Sequence, residues 1–172
     1  MSSSILTGFP PVVGDRPTVL LLGSMPSTAS LAAGRYYGHP RNRFWPLMAA
    51  LFPDDAHALL HEDFSVRYEA LKAHRIALWD TLGRCRRKGS LDSAIREGEP
   101  NDFLGLLDRC PSVQIIAFNG KKSEAVWKKV TRNVYSRRLS ECRLVTLPSS
   151  SPANAAWTME RLTEVWRKGL GC

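Results

Sequence analysis

Four short apolar runs, separated by segments with helical patterning, constrain the fold of this chain more than any other feature. They are residues 18–23 (TVLLLG), 75–80 (RIALWD), 112–118 (SVQIIAF) and 142–147 (CRLVTL). Continuous apolar runs that end in glycine, proline or polar residues are typical of strands buried on both faces of a parallel sheet. We therefore predict an α/β fold, a three-layer α/β/α sandwich with a central four-stranded, mostly parallel sheet.

Apolar residues at helical spacing fill the segments between the predicted strands. We predict helices over about 43–52, 66–73, 101–109, 121–130 and 155–168, with Asn101 as the N-cap of the third. The 172 residues are enough to bury a core, and we expect one domain over residues 1–172.

Each predicted strand is followed by a polar loop. These loops are residues 23–27 (GSMPS), 80–83 (DTLG), 119–122 (NGKK) and 148–152 (PSSSP). Ligands of parallel sheets bind outside the carboxyl ends of the strands. The four loops are therefore predicted to converge on one crevice, although Ser27 also suits the N-cap of a following helix.

Residues 36–46 (YYGHPRNRFWP) combine four aromatic residues with two arginines, an asparagine and a histidine. Flat rings beside fixed polar groups suit a site that stacks a planar ligand and reads its edge, and the arginines favour a nucleic acid. A structural interpretation stays open for Asn42, which could cap a helix beginning near residue 43. Phe44 and Trp45 are expected in the core, whereas Tyr36 and Tyr37 suit a partly open wall.

The charge balance favours an anionic partner. The chain has 24 Lys and Arg against 16 Asp and Glu, a formal net charge of +8, and a sequence pI near 9.7. Nucleic acid is preferred to a membrane surface because no basic amphipathic helix stands out. No run is apolar enough to span a bilayer, and residues 1–5 lack the pattern of a signal peptide, so we expect a cytosolic protein.

Several chemistries find no support in the motifs. The GSMPS loop matches neither a dinucleotide fingerprint nor a phosphate-binding P-loop, and no GxSxG or HExxH occurs. The four cysteines are scattered without a CxxC pair, which favours reduced thiols over a metal or iron–sulfur site. Asp80 is interpreted as a helix cap or an ion-pair partner of the basic run 84–88 in preference to a catalytic acid.

Taken together, these segments resemble the uracil-DNA glycosylase superfamily, and most of all its hypoxanthine-DNA (deoxyinosine) glycosylase branch. The resemblance extends over nearly the whole chain. The two most specific segments are HPRNRFW (residues 39–45) and PSSSPAN (residues 148–154). The supporting segments are 22–27, 36–38, 78–80, 89–95, 100–103 and 118–122.

The resemblance implies a monofunctional glycosylase that flips a deaminated base, most of all hypoxanthine, from single- or double-stranded DNA and hydrolyses its N-glycosidic bond. Asn42 is the implied catalytic residue, with no metal and no organic cofactor. The expected base-binding residues are Gly23, Ser24, Met25, Tyr37 and Asn119. The expected DNA-binding residues are Ser27, Arg86, Lys121, Pro148, Ser149, Ser150 and Ser151. A monomer without an obligate protein partner is expected, cytoplasmic and associated with the nucleoid on damaged DNA.

Three positions depart from the family pattern. Met25 replaces an asparagine of the mismatch-specific relatives, Leu147 replaces a polar residue, and Ser151 stands where a bulky apolar wedge is found. Uracil or xanthine excision stays an alternative within the enzyme class. A non-catalytic nucleic-acid-binding module is the alternative from another class, whereas a small-molecule hydrolase lacks a recognisable nucleophile.

Overall fold

The four predicted strands form one parallel sheet in the computed structural model, which describes residues 5–172; residues 1–4, part of the segment examined for a signal peptide, lie outside the described residues. The strands of the described chain are β1 Ile5–Thr7, β2 Val19–Gly23, β3 Ile76–Asp80, β4 Leu82–Arg86, β5 Arg96–Pro100, β6 Ile115–Asn119 and β7 Arg143–Leu147. Its α-helices are α1 Thr28–Ala33, α2 Phe44–Leu51, α3 Ala56–Leu59, α4 Phe64–Ala73, α5 Phe103–Arg109, α6 Lys121–Thr131, α7 Arg137–Glu141 and α8 Met159–Leu170, with 3₁₀ turns at Pro53–Asp55 and Asp92–Ala94.

The central sheet has the strand order β3-β2-β6-β7, and all three pairings are parallel. Every residue of β2 and β3 is buried, as expected of strands covered on both faces. Helices pack on this sheet in two groups. In one group Phe44 of α2 lies 6.3 Å from Trp166 of α8, and in the other Phe103 of α5 stacks on Trp127 of α6 at 4.8 Å, measured between ring centroids. The predicted α/β/α sandwich is confirmed.

The structure also contains a second sheet, which is antiparallel and consists of β1, β4 and β5. The sequence patterns did not predict it. The chain runs from β3 through Thr81 directly into β4, so the basic run 84–88 is largely strand. All five residues of β5 are exposed, and Glu97 of β5 pairs with Arg86 of β4 at 2.7 Å. A strand without a buried face, such as β5, has no apolar alternation, which is why the pattern gave no signal for it.

Two predicted helix starts need correction. The N-cap of α5 is Asp102, whose carboxylate accepts a 2.9 Å hydrogen bond from the Gly105 amide, and not Asn101. Asn101 instead donates from its side chain to the Asp80 carbonyl oxygen at 2.9 Å. Helix α8 begins at Met159 rather than near 155, with Thr158 as its N-cap.

In the part of the chain that the structure describes, no helix has the length and apolar character needed to cross a membrane. All four cysteine thiols are free; Cys85, Cys110 and Cys142 are buried and Cys172 is exposed.

Helix α8 is expected to contribute strongly to stability through Leu162, which is fully buried. Leu162→Ala should lower the free energy of unfolding by about 2–5 kcal/mol, because it removes buried methyl groups and leaves a cavity. Leu144→Ala on β7 is the matched control, since that side chain is 49% exposed and should change stability by no more than about 0.5 kcal/mol. Urea denaturation measures both, and equal effects would contradict the packing described here.

Candidate functional site

A cleft of about 870 Å³ opens at the carboxyl edge of the central sheet. The last residues of its four strands, Gly23, Asp80, Asn119 and Leu147, all line this cleft. The loops that follow β2, β6 and β7 line it as well. The predicted convergence of the strand-end loops on one crevice is therefore confirmed for these three.

Gly23 allows two functional side chains to approach the end of β2. A Cβ atom at this position would overlap Oδ1 of Asp80 and come within 3.1 Å of the Tyr37 hydroxyl. Asp80 is the residue paired with Gly23 in the parallel register of β2 and β3. The missing side chain thus creates the space in which a carboxyl and a phenol meet at the floor of the cleft.

A chain of hydrogen bonds joins Tyr37, Asn119, Ser150 and Asn42. The Asn119 Nδ2 donates to the Tyr37 hydroxyl at 3.0 Å and to the Ser150 Oγ at 2.9 Å, while its Oδ1 accepts from the Ser150 amide at 2.9 Å. The Ser150 hydroxyl in turn donates to the Asn42 Oδ1 at 3.0 Å. We call this set the amide relay. It fixes the positions of Tyr37 and Asn42 relative to the end of β6.

The Asn42 side chain has a defined orientation. Its Oδ1 accepts from the Phe44 amide at 2.9 Å as well as from Ser150. A backbone N–H can only donate, so the atom facing it must be the amide oxygen. The oxygen is used within the protein, whereas the Nδ2 has no partner among residues 5–172, and Asn42 lines the cleft. The capping and the site interpretations of Asn42 are compatible, and the group left for a ligand is a donor.

Tyr37 offers one ring face to the cleft. Its other face stacks on Phe44, with ring centroids 4.0 Å apart and planes inclined by 16°. Its backbone has φ of 51°, in the left-handed region that costs free energy for a residue with a large side chain. The stacking and the Asn119 hydrogen bond hold this conformation, and burial raises the pKa of the phenol, which stays neutral.

The loop 148–154 is held against the start of α2 by Arg43. Its guanidinium donates to the carbonyl oxygens of Asn154 at 2.8 Å, Ser151 at 3.2 Å and Trp157. Arg43 therefore positions this loop, and both of its Nη atoms are used inside the protein. Ser150 is fully buried within the amide relay, and its expected DNA contact stays a prediction.

Two of the residues expected to bind a base, Ser24 and Met25, lie at the cleft in different surroundings from each other. Ser24 lines the cleft and donates to the Asp92 Oδ1 at 2.6 Å. Met25 borders the cleft, but it is buried and packs in a small cluster with Leu82, Cys85 and Ile95. Whether Ser24 or Met25 contacts a base stays a prediction.

Lys121, the first residue of α6, is exposed and lines the cleft beside Gly120. Pro148, Ser149 and Ser151 also line it. Ser27 accepts from the Ser30 amide at 3.1 Å and caps α1, as its alternative interpretation predicted. Arg86 lies on β4, outside the cleft lining, where it pairs with Glu97. The DNA-binding roles of these residues remain predictions.

Asp80 is the site residue whose surroundings differ most from expectation. Among residues 5–172 its carboxyl caps no helix and makes no ion pair, and its Oδ2 is buried without a hydrogen-bond partner. Burial first, and then repulsion from Asp92, raise its pKa to about 7, while the charge of Arg87 opposes the shift. Arg87 is also buried, although it belongs to the basic run 84–88. In the sequence, the one indication that Asp80 belongs to a site was its position as an acidic residue at the end of a predicted strand.

The described residues offer no evident metal centre. Within residues 5–172, no three His, Cys, Asp or Glu side chains are grouped so as to hold a metal ion. The chemistry that the cleft can supply from its own side chains is hydrogen-bond donation by Asn42, aromatic stacking by Tyr37, and proton exchange by Asp80.

Comparison with known proteins gives consistent matches. A model of the uracil DNA glycosylase superfamily matches residues 10–168. A protein of Methanosarcina barkeri named hypoxanthine DNA glycosylase is 40% identical over 116 residues, covering 67% of this chain and 72% of that protein. A protein of the same name from Methanosarcina acetivorans is 35% identical over 160 residues, 93% and 95% of the two chains. A solution NMR structure from M. acetivorans, described as a candidate uracil DNA glycosylase, is 34% identical and superimposes with a TM-score of 0.77 over 94% of each chain.

The amide relay should contribute to stability through Ser150. Ser150→Ala should lower the free energy of unfolding by about 1–3 kcal/mol, because the Asn119 amide keeps its burial and loses a hydrogen-bond partner. Ser93→Ala is the matched control, as Ser93 is exposed at the same cleft and should change stability by less than about 0.5 kcal/mol. Chemical denaturation followed by tryptophan fluorescence compares the two, and an unchanged Ser150→Ala protein would contradict the relay.

Proposed function

The chain belongs to the uracil DNA glycosylase superfamily, and we propose that it excises hypoxanthine from DNA. It is a DNA glycosylase of the hydrolase class, acting on a deaminated base. Two relatives at 35–40% identity carry the name hypoxanthine DNA glycosylase, which supports hypoxanthine as the base. Excision of the base would leave an abasic site for the later steps of base excision repair.

The observation that carries this proposal is that Tyr37 and Asn42 share one cleft and are joined by the amide relay. An enzyme that acts on a base must extrude the nucleotide from the stack into a pocket. The open face of Tyr37 provides a stacking surface for the extruded ring. The Asn42 Nδ2, with no partner in the described chain, lies in the same cleft as a donor for the base or the attacking water.

Cleavage of the N-glycosidic bond builds positive charge on the sugar and negative charge on the departing base. Donors already fixed in place stabilise such charge without reorganising as the bond breaks. The Asn42 Nδ2 is a donor of this kind, because the Phe44 amide and Ser150 hold the carboxamide from its oxygen side. Because the Asn42 oxygen is used within the protein, the role proposed for Asn42 belongs to its nitrogen. An amide is a poor base, which suits a dissociative transition state.

The DNA backbone is proposed to lie along the loop 148–152 and the start of α6. Lys121 is exposed there, and helix α6 begins at Lys121 with Gly120 as its N-cap, so a positive side chain and helix amides face the same rim. The hydroxyls of Ser149 and Ser151 border this rim as well. Action on single- or double-stranded DNA, a monomeric state and a cytoplasmic, nucleoid-associated location are part of the same proposal.

Base release from a panel of oligonucleotides tests the proposed substrate. The wild-type protein should release hypoxanthine from deoxyinosine in a duplex faster than it releases uracil from deoxyuridine or xanthine from deoxyxanthosine. Alkaline cleavage of the DNA at the resulting abasic sites measures each rate. Preferential release of uracil or xanthine would replace hypoxanthine as the substrate. Tight binding of all three without release would establish a non-catalytic binding module.

Asn42→Ala should slow single-turnover release of hypoxanthine by about 10²–10³-fold, because it removes a fixed donor to developing charge. Asn42→Asp should be slowed as well, since it places a carboxylate oxygen where the amide donor was. Affinity for inosine DNA should change little in Asn42→Ala. Asn133→Ala, at an exposed position outside the cleft lining, is the matched control and should keep the wild-type rate. Undiminished turnover by Asn42→Ala would remove Asn42 from the reaction.

Tyr37→Ala should weaken binding to inosine DNA by about 1–3 kcal/mol, the usual contribution of one base stacked on an aromatic ring. Tyr135→Ala is the matched control, because Tyr135 is fully exposed and lies outside the cleft lining. Fluorescence anisotropy with inosine and undamaged duplexes measures both variants. If Tyr37→Ala binds both DNAs like the wild type, Tyr37 has only a packing role.

A further inference from the structure

We propose that Asp80 is a catalytic residue that gives a proton to the departing base, a role that rests on the proposed function. As the bond between the sugar C1′ and the base nitrogen breaks, its electron pair stays with the base. The proton of the Asp80 carboxyl moves to a nitrogen or to the carbonyl oxygen of that base, which leaves neutral. A water oxygen bonds to C1′, and the proton that this water releases passes to solvent or restores the Asp80 carboxyl.

The first support is the position of the Asp80 carboxyl. It lines the cleft at the end of β3 and is only 4% exposed. Its Oδ1 occupies the space above Gly23, beside the hydroxyl of Tyr37, so it lies next to the proposed stacking surface. Its Oδ2 is buried and has no hydrogen-bond partner among residues 5–172. No group of residues 5–172 satisfies this oxygen, and the carboxyl as a whole lines the cleft in which a bound base would lie.

The second support is the set of charged and titratable groups around Asp80. Arg87, which follows β4, directs its guanidinium to a backbone carbonyl oxygen and makes no ion pair with Asp80. Asp92, in the turn Asp92–Ala94, acts on Asp80 with charge of the same sign. Tyr36 and Tyr37, from the segment before α2, are neutral because burial raises the pKa of both phenols. No neighbour therefore holds the carboxyl in its ionised form by direct pairing.

Burial and Asp92 together raise the pKa of Asp80 to about 7, in spite of Arg87. A group with a pKa near the working pH combines a sizeable protonated fraction with ready proton transfer. Other side chains of the cleft are less suited to this task. Asn42 and the serines do not titrate in this range, the Asp92 carboxylate accepts a hydrogen bond from Ser24, and Lys121 lies exposed at the cleft rim. The position of Asp80 in the cleft and its raised pKa therefore both support a role as proton donor.

Asp80→Asn tests the inference, because the amide keeps the size of the side chain and carries no transferable proton. Single-turnover release of hypoxanthine is measured for both proteins from about pH 5 to about pH 9. We expect the wild-type rate to be level below about pH 7 and to fall above it, as the carboxyl ionises. We expect Asp80→Asn to be about 10²–10⁴-fold slower at low pH and to lack this fall. Asp108→Asn, exposed on α5, is the matched control and should keep the wild-type rate and profile.

Two kinetic results would overturn the inference. If Asp80→Asn keeps the wild-type rate and pH profile of hypoxanthine release, Asp80 has only a structural role. A wild-type rate that rises through the same pH range, with the rise lost in Asp80→Asn, would make Asp80 a base. If the variant does not fold, an infrared titration of the wild-type protein decides: a carboxyl titrating near pH 7 supports the inference, and carboxyls that are all ionised at that pH overturn it.

The same experiment separates this inference from the proposed substrate. If the wild-type protein releases no hypoxanthine but releases another deaminated base, the proposed substrate is wrong, and the pH comparison on the released base still decides the role of Asp80. If it releases no base from any of the oligonucleotides, both the proposed function and the role of Asp80 are overturned.

Discussion

Asn119 is fully engaged between two parts of the chain that lie far from it in sequence, and the geometry of the site depends on this one side chain. Its amide hydrogen-bonds the hydroxyl of Tyr37, and both the hydroxyl and the amide of Ser150. Ser150 passes the constraint on to Asn42. The oxygen and the nitrogen of the Asn119 side chain both have partners. The Tyr37 phenol and the Asn42 carboxamide therefore cannot move without breaking a buried hydrogen bond.

The parallel sheet explains why these groups meet. Its strands all end at one edge, so residues at four strand ends line a common cleft although they are far apart in the sequence. Gly23 adds the space for Asp80 and Tyr37 at that edge. The result is a site with an aromatic face, an oriented amide donor and a buried carboxyl. These are the elements needed to hold an extruded base and to stabilise it as it leaves.

The strands of the central sheet could be predicted to within a few residues, because continuous apolar runs report burial on both faces. The exposed strand β5 could not, since pairing by backbone hydrogen bonds and charges leaves no apolar pattern. At the site, the residue types of Tyr37 and Asn42 were informative, but the orientation of the Asn42 amide was not predictable. It depends on Ser150, which is 108 positions away in the chain. The burial of Ser150 and Arg87 likewise arises from tertiary contacts, and their polar sequence surroundings suggested the opposite.

In the proposed function, an extruded purine occupies the cleft between Tyr37 and Asn42. A crystal structure with duplex DNA carrying 2′-fluorinated deoxyinosine, which resists glycosidic cleavage, tests it most directly. Hypoxanthine is expected to stack on the open face of Tyr37, with the Asn42 Nδ2 and the Asp80 carboxyl about 2.7–3.2 Å from polar atoms of the nucleotide or an intervening water. A base still paired in the helix, or bound outside this cleft, would contradict it.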